Sequence, residues 1–160
     1  MAFLIKNQQV SSRTEIPIIR TLTHVKRAAA TVPQSTTEEL FTITGGRILV
    51  HLLLGEVTTV IQTQTNNAKI TINPTTGSSG DVASNLDITG DEVTTLYFPE
   101  GDASALHGVN GGTGFAAGGI QNFIVPIGGI DLTCSASNTG AIKWDLWYEP
   151  LDELATVVAS

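Results

Sequence analysis

Charge is scarce in this 160-residue chain: only 14% of its residues are Asp, Glu, Lys or Arg, against 41% hydrophobic ones. A disordered chain shows the reverse balance, so a folded protein is expected. Cysteine is almost missing. Cys134 stands alone, which excludes an internal disulfide and any metal cluster built on thiolates. No apolar run approaches the roughly 20 residues that cross a bilayer as a helix; the longest, Ile48 to Leu54, is broken by His51. The three histidines, His24, His51 and His107, lack His-x-His or His-Glu-x-x-His spacing, so no metal site is expected from them. The opening MAFLIKNQQ turns polar too soon for a secretory signal. No Asn-x-Ser/Thr acceptor is present, since Asn73 precedes Pro74. These absences fit a chain made in a cytoplasm, with no membrane segment.

What the chain has is threonine, glycine and β-branched residues in alternating runs. In ELFTITGGRILVHLLLGEVTTVIQTQTNNAKITINP, residues 39–74, apolar and polar positions alternate as in half-buried strands. Gly45-Gly46 reads as a turn, and Val57, Thr59, Ile61, Thr63 and Thr65 share one parity. Asn66-Asn67 tolerates the positive φ angles of a tight hairpin, with Lys69 to Asn73 on the return strand. Further strands are expected over 83–89 and 93–99 around a Gly90-Asp91 turn, then over 120–127, 130–135 and 141–149. The Gly-rich segment 100–119 reads as a long exposed loop. Eight to ten short strands separated by turn signals predict an all-β fold, an antiparallel β-sandwich or barrel of jelly-roll type. In AIKWDLWYEP, Ile142, Trp144 and Leu146 alternate with Lys143, Asp145 and Trp147. One Trp therefore anchors the core and the other faces a partner or the sheet rim. Trp144, Trp147 and Tyr148 are the candidate core or subunit-interface aromatics.

Charge is also uneven. Residues 1–27 carry a net +4, whereas residues 28–160 carry three bases against 14 acids. The expected organisation is an extended N-terminal arm over residues 1–35 and a single β domain over 36–160. Pro17 and Pro33 prevent a long helix in the arm. Residues 16–24 read as an edge strand and Val25 to Ala30 as one helical turn. The arm either folds back on the acidic body or reaches an acidic neighbouring protein. Nucleic acid fits poorly, because the body repels phosphate and the arm has Phe3 as its one aromatic residue.

Chemistry is hard to place. Asp102, Ser104 and His107 lie on one Gly-rich loop, a poor way to hold triad geometry. GGTGFAAGG, residues 111–119, lacks the Gly-Lys-Ser/Thr ending of a phosphate-binding loop. Asp81, Asp87, Asp91, Glu92, Glu100 and Asp102 do not match EF-hand spacing and read as a solvated acidic face. Cys134 reads as a buried thiol. Neither an enzyme nor a cofactor or metal site is expected.

The segment LFTITGGRILVHLLLGEVTTVIQTQTNNAKITINPTTG, with LDITGD and the closing IDLTCSASNTGAIKWDLWYEPLDELATVV, resembles small head proteins of tailed bacteriophages. It is similar to capsid decoration proteins, also called cement or head-stabilising proteins, over residues 38–158. The resemblance implies a virion protein on the outer capsid surface, with the major capsid protein as partner. It also implies a homotrimer that bridges neighbouring capsid subunits and stabilises the expanded head. Phe3, Leu4 and Ile5 would be apolar anchors of the arm, and Arg13, Arg20, Lys26 and Arg27 its charged contacts. The rival reading is a tail, spike or receptor-binding domain, with Tyr97, Phe98, Trp147 and Tyr148 lining a carbohydrate patch.

Overall fold

The alternating segments become eleven strands, and no helix occurs among the described residues, 22–100, 106–109 and 122–160 of a computed structural model. In chain order the strands are β1 (Thr23–Thr31), β2 (Thr37–Thr44), β3 (Ile48–Thr59), β4 (Asn67–Pro74), β5 (Gly80–Asp87) and β6 (Leu96–Phe98). They continue with β7 (His107–Val109), β8 (Phe123–Val125), β9 (Gly128–Cys134), β10 (Ala141–Pro150) and β11 (Thr156–Ala159). The first sheet runs β1-β10-β3-β6-β7, with β8 pairing the start of β3; the second runs β11-β2-β9-β4-β5. Every pairing is antiparallel.

Successive strands land mostly in opposite sheets. The steps β1 to β2, β2 to β3, β3 to β4 and β9 to β10 all cross the sandwich. Four positions, β1-β10-β3 and then β6 with β8, face β2-β9-β4-β5, and β11 extends the β2 edge. That arrangement is a jelly roll. The expected all-β antiparallel sandwich is therefore the observed one.

The core lies between the sheets. Ile48, Val50, Leu53, Val57, Ile142, Trp144 and Leu146 meet Phe41, Ile43, Ile70, Ile130 and Leu132 from the other side. Trp144 needs the room that Gly55 leaves: a Cβ on Gly55 would lie 2.8 Å from the indole. The parity read in AIKWDLWYEP holds, with Trp144 1% exposed and Trp147 on the opposite face.

Gly45-Gly46 and Gly90 turn the chain between strands as read. The hairpin reading at Asn66-Asn67 is corrected: like the other two turns, it lies on a connection between the two sheets. Gly45, at φ 74°, packs so close to the Leu154 carbonyl that no side chain fits there. Asn66 is fully buried: its Oδ1 accepts the Ala136 N–H at 3.1 Å, and its carbonyl accepts the Ile88 N–H. The alternation over 57–65 ends as a strand at Thr59, because the Gln62 and Gln64 carbonyls accept from Asn138 Nδ2 instead of a ladder partner. The helical turn at Val25 to Ala30 is also overturned. Those residues are in β1, which covers the backbone edge of β10 with a bulge between Arg27 and Ala30.

Candidate interaction surface

β3 is one 12-residue strand where two were read, and an irregularity at His51 decides what it shows outward. Val50 pairs with Tyr148 and Leu52 with Trp147, so His51 is an extra residue. The bulge shifts the parity. Ile48 and Val50 point inward before it, Leu53 and Val57 after it, leaving Leu49, Leu52 and Leu54 half-buried on the outer face.

Neighbouring strands widen this apolar row. Trp147 on β10 lies across from Leu52, and Ile124 on β8, 57% exposed, lies across from Leu49. His24 on β1 stacks on Trp147 with ring centroids 4.1 Å apart and planes 7° from parallel. Polar and charged groups meet around the row: His24 Nε2 with Asp145 at 2.6 Å, Lys143 Nζ with Glu56 at 2.8 Å, and His51 Nε2 facing Glu149 at 3.5 Å. Apolar area is left unpaired between ion pairs, as on surfaces that meet another protein.

A second apolar patch lies at the sandwich end where β2–β3, β8–β9 and β10–β11 turn. Ile127, Leu151 and Leu154 are 45%, 42% and 75% exposed there, beside the Arg47–Asp152 ion pair at 2.9 Å. The Arg47 guanidinium holds the Asp152 carboxyl down at about 2. Leu22 precedes Thr23, the partner of Tyr148, so the chain enters β1 at this same end.

The candidate contacts divide sharply. Phe3, Leu4, Ile5, Arg13 and Arg20 lie outside the described residues, as do Asp102, Ser104 and the 111–119 loop. Lys26 is exposed on the edge strand. Arg27 instead reaches across the sandwich edge, donating from Nε to the Ser160 carbonyl at 3.0 Å and lying 3.8 Å from Glu38. Of the aromatic residues proposed for a carbohydrate patch, Tyr97, Phe98 and Tyr148 are buried at 0%, 3% and 4% exposure, so only Trp147 reaches the surface.

Three of the acids read as a solvated face have separate structural partners. Asp81 binds Lys69 and Thr71, Asp87 caps Thr89, and Asp91 accepts from the buried Tyr97 hydroxyl. Burial pushes the Asp91 carboxyl and the Tyr97 hydroxyl above their ordinary values. Cys134 is buried as expected, and burial pushes its thiol up to about 12. Among the described residues no group of three or more His, Cys, Asp or Glu side chains is placed to hold a metal. The leucine row was not visible in the sequence; its one signal was three leucines in succession after His51, which no strict alternation can place on a single face.

No protein-family model matches the chain, and no curated protein matches it. Among solved structures, that of infectious bursal disease virus Gx strain is similar at 14% identity, over 85% of this chain and 33% of that chain, with a TM-score of 0.21. The chain thus spans about a third of that chain's length, and a likeness this slight supports no argument.

Proposed function

We propose that the chain is a virion structural protein that binds the outside of an icosahedral phage capsid and stabilises the expanded head as a trimer. The observation that carries this reading is the apolar row of Leu49, Leu52 and Leu54, with Trp147 and Ile124, on an outer sheet face. Burying such a row against another copy stabilises an assembly at roughly 25 cal/mol per Å² of apolar surface removed from water. Ion pairs at its margin fix the register. The basic residues before β1, with Phe3, Leu4 and Ile5, reach the major capsid protein, and Lys26 adds a charge at the edge strand. Arg27 acts on this contact only by holding β1 against the second sheet.

Co-sedimentation with heads of the encoding phage, before and after expansion, tests the reading. Saturable binding to expanded heads by the full chain, lost on removal of residues 1–21, is the expected result. That cut spares every strand among the described residues, since β1 begins at Thr23. Absence of binding to either head would return the protein to the receptor-binding reading, which a glycan array addresses.

A further inference from the structure

On the outer face of the second sheet, two carboxylates turn toward one notch. Glu39 on β2 and Asp131 on β9 are cross-strand partners. A Cβ on Gly129 would lie 2.5 Å from Glu39 Oε2 and 2.8 Å from Asp131 Oδ1, so both oxygens converge over an α-carbon that has no side chain. Asp131 is only 6% exposed, and its Oδ1 has no hydrogen-bond partner.

The other oxygen of Glu39, in contrast, is held. Glu39 Oε1 accepts from the Thr42 hydroxyl and from Ser160 Oγ, the latter at 2.8 Å. The Asn73 side chain lies near Asp131 and favours its charged form, against the effect of burial. Lys69, on the neighbouring strand, is held by both oxygens of Asp81 at 3.1 Å. Holding the far oxygen of Glu39 while the near oxygens of the two carboxylates stay together is how surrounding groups orient metal ligands. Two like charges facing each other without a donor are unfavourable unless a proton or a cation lies between them.

We propose that Glu39 Oε2 and Asp131 Oδ1 form a binding site for a hard divalent cation, with Ca²⁺ the best fit. Carboxylate oxygens suit hard cations, and Ca²⁺ accepts irregular coordination completed by water, whereas Mg²⁺ demands near-octahedral geometry. Two protein carboxylates give weak affinity, with a dissociation constant on the order of 0.1–1 mM. Ca²⁺ would tie β2 to β9 across the centre of the second sheet.

Thermal unfolding of the full chain at neutral pH, in chelator-treated buffer with added CaCl₂, tests the site, with titration calorimetry as a direct measure. A rise in Tm of a few degrees at about ten times the dissociation constant is expected. Glu39→Gln and Asp131→Asn should each abolish that rise and the calorimetric signal, while Asp81→Asn should leave both. A rise that survives in Glu39→Gln and Asp131→Asn would overturn the assignment. So would a wild-type chain that ignores Ca²⁺ and instead gains stability as pH falls, because the pair would then share a proton.

Discussion

The two outer faces of the sandwich meet solvent in different ways. On the second sheet, hydroxyls bond across strands: Thr37 with Thr133 at 2.7 Å and Thr44 with Thr156 at 2.9 Å. These hydroxyls find lateral partners, and the face is left without an apolar row. On the first sheet the lateral partners are ion pairs, and the leucines they enclose have none. A ladder of hydroxyls is self-sufficient, whereas a leucine row gains free energy only when something covers it. The contrast separates the face built to be wetted from the face built to be covered.

Exchanging the chemistries of the two faces gives the largest expected effect. Leu52→Thr with Leu54→Thr should weaken self-association or head binding by at least about 30-fold, the scale of an interface hot spot. The fold should survive, because both leucines lie outside the core; sedimentation velocity and co-sedimentation measure the loss. The mirror change, Thr37→Leu with Thr133→Leu, should make a second sticky face, read as concentration-dependent oligomers.

Both faces rest on the same core, which bounds how far such swaps can be pushed. Trp144→Ala should cost about 3–5 kcal/mol in denaturant unfolding. Gly55→Ala should cost about 1–3 kcal/mol, since its methyl group would press on the indole.

A smaller effect comes from Asp131, whose carboxyl is raised by burial and, secondarily, by Glu39. A carboxyl raised on folding destabilises at neutral pH, and that penalty disappears as pH falls below the ordinary carboxylate value. Without divalent cations, Asp131→Asn should therefore be more stable than wild type at pH 7, with the difference vanishing near pH 3. Asp152 runs the other way: held at about 2, it contributes above its ordinary value of 3.8 and loses that contribution as pH falls toward 2. Its pair with Arg47 is open to solvent and screened by salt, so Asp152→Asn should flatten acid unfolding only slightly. Cys134 should stay unlabelled by thiol reagents at pH 8 until the sandwich unfolds.

Strand positions were legible because alternation is local. The parity of Trp144 against Trp147 came from it directly, and the burial of Cys134 from the apolar habit of a free thiol in a strand. Pairing was not legible, because Gly45-Gly46 and Asn66-Asn67 offer the same turn chemistry to a hairpin and to a crossing between sheets. What decides at Asn66 is a hydrogen bond to Ala136, 70 residues away. The His51 bulge is equally non-local: it exists only in register with Tyr148 and Trp147. Likewise β1 reads alone as part of a basic arm and becomes an edge strand only beside β10. The leucine face and the Glu39–Asp131 notch depend on these long-range registers.

The pairing of Thr23 with Tyr148 has a consequence for how the chain is made. A ribosome must release the chain through β10 before β1 meets its neighbour, and β2 likewise waits for β9. Non-local strand pairing of this kind folds slowly, and its unfinished forms expose strand edges and apolar faces. The leucine row is uncovered while β3 waits for β10, and it stays half-buried after the two pair. A partner present during synthesis, such as a second nascent copy, meets that surface first, so the order of production in the cell bears on what the face finally covers.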